Sequence, residues 1–127
     1  MRHKSGRMIA MIGNSYYENW PTYIPHSIAK VGLVKLMECL AVTLSPYIQC
    51  TALCPATIMT SAVGGYSPVL QAHSENIDET DRTITVSGQK LVMGVPEQVA
   101  ELIVYLSGCS NYMNGAVIPI DGGKHLL

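Results

Sequence analysis

Charge is what these 127 residues have least of. Lys, Arg, Asp and Glu supply 13% of the chain against 48% hydrophobic residues, and the net charge is −1. A disordered chain shows the reverse balance, so a buried core is expected, in one small domain spanning residues 1–127. With no basic excess there is no electrostatic case for nucleic acid or an acidic membrane as partner. Long apolar runs are lacking too. The longest candidate, Val31 to Leu44, is broken by Lys35 and Glu38, well short of the roughly 18 uninterrupted residues of a membrane span. Arg2, Lys4 and Arg7 precede only Met8 to Ile12, too short an apolar stretch for a signal-peptide core. Without an export signal the four cysteines are expected as reduced thiols in the cytoplasm. Cys50 and Cys54, placed on one strand, stand roughly 13 Å apart, too far for a disulfide. His3, His73 and His125 share no ligand spacing with the cysteines, so no metal site is expected. The seven methionines read as core filler. Internal repeats and low-complexity tracts are also missing.

What is present alternates in period. Met8 to Ile12 is a short apolar run between Gly6 and Gly13, read as a strand buried on both faces. Asn14 to Thr22 has no periodicity and reads as a loop. Pro25 suits the first turn of a helix, along which Ile28, Leu33, Leu36, Met37, Leu40, Ala41 and Leu44 recur until Ser45-Pro46 stops the pattern. Ile48 to Cys54, closed by Pro55, is a second buried strand. Residues 56–82 are the least readable, with a short helix expected near Pro68 to His73. Thr83 to Val86 and Gln89 to Met93 flank Ser87-Gly88 as a hairpin. Pro96 opens a second helix with Val99, Ala100, Ile103, Val104 and Leu106 on one stripe and Gly108 at its end. Asn114-Gly115 is a turn, Ala116 to Ile120 a third strand, and Asp121-Gly122-Gly123 closes it. Strands alternating with helices imply an α/β fold: a three-stranded parallel βαβαβ unit, Rossmann-like, with a helix on each face.

Five landmarks fall in one order. A strand leads to Asn14-Ser15; a helix bears His26-Ser27-Ile28-Ala29-Lys30; a strand runs into Cys54-Pro55-Ala56-Thr57-Ile58-Met59-Thr60. Gly94-Val95-Pro96-Glu97 then opens a helix, and a last strand ends at Asp121-Gly122-Gly123. This ordered set resembles the C-terminal half of a short-chain dehydrogenase/reductase. The resemblance implies an oxidoreductase using NAD or NADP on a carbonyl or alcohol. In that family a serine holds the substrate oxygen, a tyrosine exchanges a proton with it, and a lysine one helical turn on stabilises the phenolate and bonds the nicotinamide ribose. Ser15, His26 and Lys30 occupy those three catalytic positions. Lys30, Pro55 and Thr60 match the cofactor-binding ones.

The departures carry as much weight. Histidine stands where the tyrosine is expected, and a lysine charge works against an imidazolium, so His/Lys is a worse-matched proton donor than Tyr/Lys. The serine-to-histidine loop is about two residues shorter than usual for the family. Ala56 follows Pro55 where glycine is expected, and Thr51 replaces an asparagine. No G-x-x-x-G-x-G strand–turn–helix occurs, so most of a dinucleotide pocket is lacking. His26 also has a bland reading as a helix-start surface residue, and Tyr23 reads as a stacking ring rather than a displaced phenol. Tyr16, Tyr17 and Trp20 either line a substrate mouth or simply pack the loop. The expectation is a catalytically impaired, self-associating chain that binds no dinucleotide alone. The alternative is one part of an NAD(P)-dependent oxidoreductase, active only with a nucleotide-binding half on another polypeptide. Self-association is expected through Leu33, Leu36, Met37 and Leu40 of the first helix, the open edge of the first strand, and Val117 and Ile120.

Overall fold

The structure is a computed structural model that describes residues 5–59 and 76–127. Its main sheet holds β1 (Gly6–Met11), β2 (Ile48–Pro55) and β6 (Ala116–Ile120) in the order β1-β2-β6, all parallel. β1 and β2 are joined by α1 (Ile24–Thr43), and α2 (Pro96–Gly108) leads into β6. This is the expected α/β arrangement, Rossmann-like, with a helix on each face. Thr60, expected to touch the cofactor, and the helix expected near Pro68 to His73 lie outside the described residues.

Strand parity decides which side chains meet which helix. Cys50, Ala52 and Cys54 of β2 are buried on one face and pack, with Ala10 of β1, against Val34, Met37 and Ala41 of α1. Arg7, on the opposite face of β1 from Ala10, reaches the end of α2, where it donates to the carbonyls of Cys109 and Ser110 and to Asn111 Oδ1. Leu53, fully buried on that second face, removes side-chain area worth about 1.5–3 kcal/mol from water. Asn114 ties the layers together: its Oδ1 accepts from Cys50 N at 2.8 Å and its Nδ2 donates to Ala41 O at 2.8 Å.

Several expectations shift in detail. β1 begins at Gly6 and ends at Met11, and it is not buried on both faces, since Met8 and Met11 are exposed. Its position at the sheet edge explains this; the fully buried residue, Ile12, comes just after the strand. α1 begins at Ile24 with Pro25 in its first turn and ends at Thr43. Its inward seam is Val34, Met37 and Ala41, whereas Ile28 and Leu36 of the expected stripe face outward. Met37 is therefore part of the core and not available to a partner. On α2, Val99 and Leu106 are buried while Ala100 and Val104 are exposed. The loop Asn14 to Thr22 contains two short 3-10 turns, Asn14–Tyr16 and Pro21–Tyr23.

The hairpin forms as expected, β4 (Thr83–Val86) against β5 (Gln89–Val92). Ser87 has φ 49 and Gly88 φ 77, the two left-handed positions of a type I′ turn. A third strand, β3 (Asn76–Asp78), extends it into an antiparallel sheet. The hairpin is docked on the main sheet through Gly94, whose carbonyl accepts from Met59 N at 2.8 Å and whose N–H donates to Thr57 O at 3.1 Å.

Candidate active site at the carboxyl ends of the parallel strands

Open parallel sheets meet their ligands beyond the carboxyl ends of the strands. Here those ends deliver Ile12 to Ser15, Pro55 to Ile58, and Asp121 to Gly123. Gly13 takes φ 94, a conformation that suits glycine, and turns the chain so that Asn14 and Ser15 are both buried. The hydroxyls of Ser15, Ser27 and Thr57 are buried and find no hydrogen-bond partner among the described residues. Buried hydroxyls are nearly always bonded, so each carries an unused hydrogen bond, and Ser15 and Ser27 adjoin one cavity while Thr57 adjoins another.

Lys30 is half-buried on the face of α1 that His26 shares one turn earlier. Its ammonium donates to the carbonyl of Met11, at the end of β1, at 2.8 Å. His26 is exposed in the first turn of α1. Its ring lies offset and parallel to Trp20, with centroids 6.4 Å apart and planes 7° from parallel. The two members of the expected proton-transfer pair therefore have separate partners. The stacking role expected of Tyr23 falls to Trp20, and Tyr23 precedes α1 as its cap.

Glu18, which stands in no motif of the sequence, organises this loop. It accepts from Asn14 Nδ2 at 3.1 Å and from Trp20 Nε1 at 2.7 Å, and its Oε1 lies 3.4 Å from the buried ammonium of Lys124. Asp121 is the matching anchor in the last turn. It accepts from Gly123 N at 3.0 Å and from His125 N at 2.7 Å, with His125 Nδ1 at 2.8 Å. The Tyr17 ring rests on His125 at 5.1 Å. The one signal available in the sequence was the i, i+4 spacing of Asp121 and His125.

Two cavities adjoin the strand ends. One, of about 620 Å³, runs between the Ser15–Pro21 loop and α1, with Ser15, Tyr16, Trp20, Ile24, Ser27 and Ile28 among its walls. The other, of about 190 Å³, lies beside Thr57, Gly94, Gln98, Asp121 and Gly122. Of the two readings of the loop aromatics, Tyr16 and Trp20 take the cavity-lining one, while Tyr17 turns to the last segment. Burial pushes the Tyr17 phenol up, with Cys54, Tyr16 and Asp121 adding to it. Burial also raises the Cys54 thiol to about 11, with a smaller contribution from Asp121. Pro55 is half-buried where β2 ends. Beside it, Thr57 with its orphan hydroxyl can take an amide or carbonyl group, but a 190 Å³ cavity is below the usual 300–1,000 Å³ of small-molecule sites. The residues described do not fit a whole dinucleotide, because nothing among them cradles a pyrophosphate.

Comparison with known proteins settles the class. Residues 1–125 match the family model described as Enoyl-(Acyl carrier protein) reductase, and the chain belongs to the short-chain dehydrogenase/reductase family. Among curated proteins it is similar to a probable 2,4-dienoyl-CoA reductase 3 of Caenorhabditis elegans, 26% identical over 127 residues covering 98% of this chain and 40% of that one. It is also similar to an L-rhamnose 1-dehydrogenase (NAD(P)(+)) of Azotobacter vinelandii, 27% identical over 124 residues covering 94% and 44%. A solved short-chain type dehydrogenase/reductase from Mycobacterium ulcerans shares the fold, with TM-score 0.73 at 19% identity, covering 98% of this chain and 43% of that one. The chain spans about two-fifths of the length of the curated relatives it matches. No helix among the described residues is long and apolar enough to cross a membrane.

Proposed function

We propose that this chain is the substrate-side half of a short-chain oxidoreductase, catalytically impaired and without appreciable dinucleotide affinity by itself, and that it self-associates. One observation carries the impairment: the Lys30 ammonium is bonded to the Met11 carbonyl while the His26 ring is stacked on Trp20. Each side chain has a partner of its own, and proton transfer needs the two in register with a substrate oxygen. Titrating NADH or NADPH into the chain while following nicotinamide fluorescence tests the affinity. No saturation in the micromolar range is expected, and binding at low micromolar concentration overturns the reading.

A second reading is favoured by the orphan hydroxyls. Ser15 and Thr57 keep buried, unpartnered oxygens at the strand ends, which is costly unless something bonds them. In this reading a nucleotide-binding half on another polypeptide supplies the NAD(P) site. NAD(P) would bring hydride transfer; Ser15 would hold the carbonyl or alcohol oxygen, and His26 would pass the proton in place of a tyrosine. In a competent complex His26→Tyr is expected to raise the rate of carbonyl reduction, because it restores a phenol one turn from Lys30. An unchanged or lower rate removes His26 from the proton path.

A further inference from the structure

We propose that Glu18 is a positioning residue: its carboxylate fixes the Trp20 indole and, through that ring, the orientation of the His26 imidazole. The functional weight of this rests on reading His26 as the residue at the proton-transfer position, but the geometry and its test do not depend on activity.

The argument starts from the two oxygens of one carboxylate. Oε2 takes the indole N–H at 2.7 Å, a short charge-assisted bond of the kind about twice as strong as a neutral one. Oε1 takes the Asn14 amide at 3.1 Å and faces the Lys124 ammonium at 3.4 Å. Glu18 is thereby held from two elements: Asn14 in the turn after β1, and Lys124 in the last segment, whose side chain is only 5% exposed. The last segment is in turn held by Asp121, which bonds His125 at both its backbone and its ring. The carboxylate is a fixed post, and the indole is hung from it.

The consequence reaches His26. Trp20 and His26 belong to different elements, with a 3-10 turn between them; His26 is exposed and Trp20 half-buried. Offset stacking is one of the arrangements that aromatic rings favour, and the pair keeps its planes 7° from parallel as long as the indole is held from behind. The Glu18 bond does that, since it fixes the indole at its only polar atom. Trp20 also lines the 620 Å³ cavity, so the same bond sets one wall of the space a substrate enters beside Ser15.

The chain contains a single tryptophan, so its emission reports this ring alone. In the full chain, His26→Ala is expected to change the Trp20 emission. Placed on top of Glu18→Leu, the same His26→Ala change is expected to lose that effect. On top of Glu18→Gln, which still offers an oxygen to the indole N–H, most of the effect is expected to remain. Such a double-mutant cycle isolates the coupling. An undiminished His26→Ala effect in the Glu18→Leu background overturns the proposal. Should Glu18→Leu fail to fold, the unmodified chain gives the answer. Its one indole N–H resonance is expected to exchange with deuterium more slowly than that of free tryptophan, and exchange at the free rate overturns the proposal.

Discussion

At Cys54 two effects act in the same direction. Burial disfavours the thiolate, and the nearby Asp121 carboxylate disfavours it further, raising the thiol from 9.0 to about 11. A folded-state pKa above the unfolded one means that the folded chain holds this proton more tightly. The contribution is whole below pH 9 and is lost as pH rises toward 11, amounting to ~2–3 kcal/mol at the far end. Tyr17 and Cys50, both raised chiefly by burial, move the same way. Urea unfolding at pH 8 and at pH 10.5 should therefore show a marked alkaline loss in the unmodified chain, and a smaller one in Cys54→Ala. Equal losses in both would remove Cys54 from the account. Alkylation at pH 8 should label exposed Cys39 and spare buried Cys50 and Cys54. The sequence showed Ser15, His26 and Lys30 because each stands in an ordered motif. It did not show Glu18 and Lys124, since an ion pair between a loop and the chain's end leaves no local pattern; only folding brings them together.

Elements were legible where local chemistry and global packing agree. Ser87-Gly88 demands a turn with two left-handed residues, and the hairpin follows. β3 was missed because Asn76-Ile77-Asp78 is too short and too poor in β-formers to announce itself; its pairing with β4 supplies the reason. The outward residues of α1 were misassigned for a different cause. The helix is apolar on more than one side, so periodicity alone does not say which stripe meets the sheet. Glycines at the junctions separate two kinds of requirement. Gly88, at φ +77, has nothing within 4 Å of an added Cβ, whereas at Gly122, φ +63, a Cβ would stand 2.6 Å from the Val92 carbonyl oxygen. Gly88→Ala should cost about 1–2 kcal/mol from the backbone alone. Gly122→Ala should cost clearly more, because the hairpin must also move off the Asp121–Gly123 turn. Thermal melts of the two variants check the order, and a Gly122→Ala loss no larger than that of Gly88→Ala contradicts the close packing.

For the whole molecule the question is what covers its apolar surface. β1 forms one edge of the main sheet, pairing only with β2 among the described residues, and such edges invite another strand. On α1, Ile24, Ile28, Val31, Leu36 and Val42 are all exposed, Val42 to 81%. Five large apolar side chains left in water along one helix point to an association surface. Sedimentation equilibrium at micromolar concentration is therefore expected to find an oligomer, and a well-folded monomer would overturn that. The two outcomes of mutation then separate interface from core. Val42→Glu adds a charge to a side chain already in solvent, so it should release folded monomer with its circular dichroism unchanged. Met37→Glu puts the same charge among Ala41 and Cys50, where Met37 is 4% exposed. A buried unpaired carboxylate costs several kcal/mol or takes up a proton, so that variant should unfold whatever the oligomeric state. If Val42→Glu leaves the oligomer intact, the contact runs through the β1 edge instead. A proline at Ile9, which removes a backbone donor from that strand, should then be the change that dissociates it.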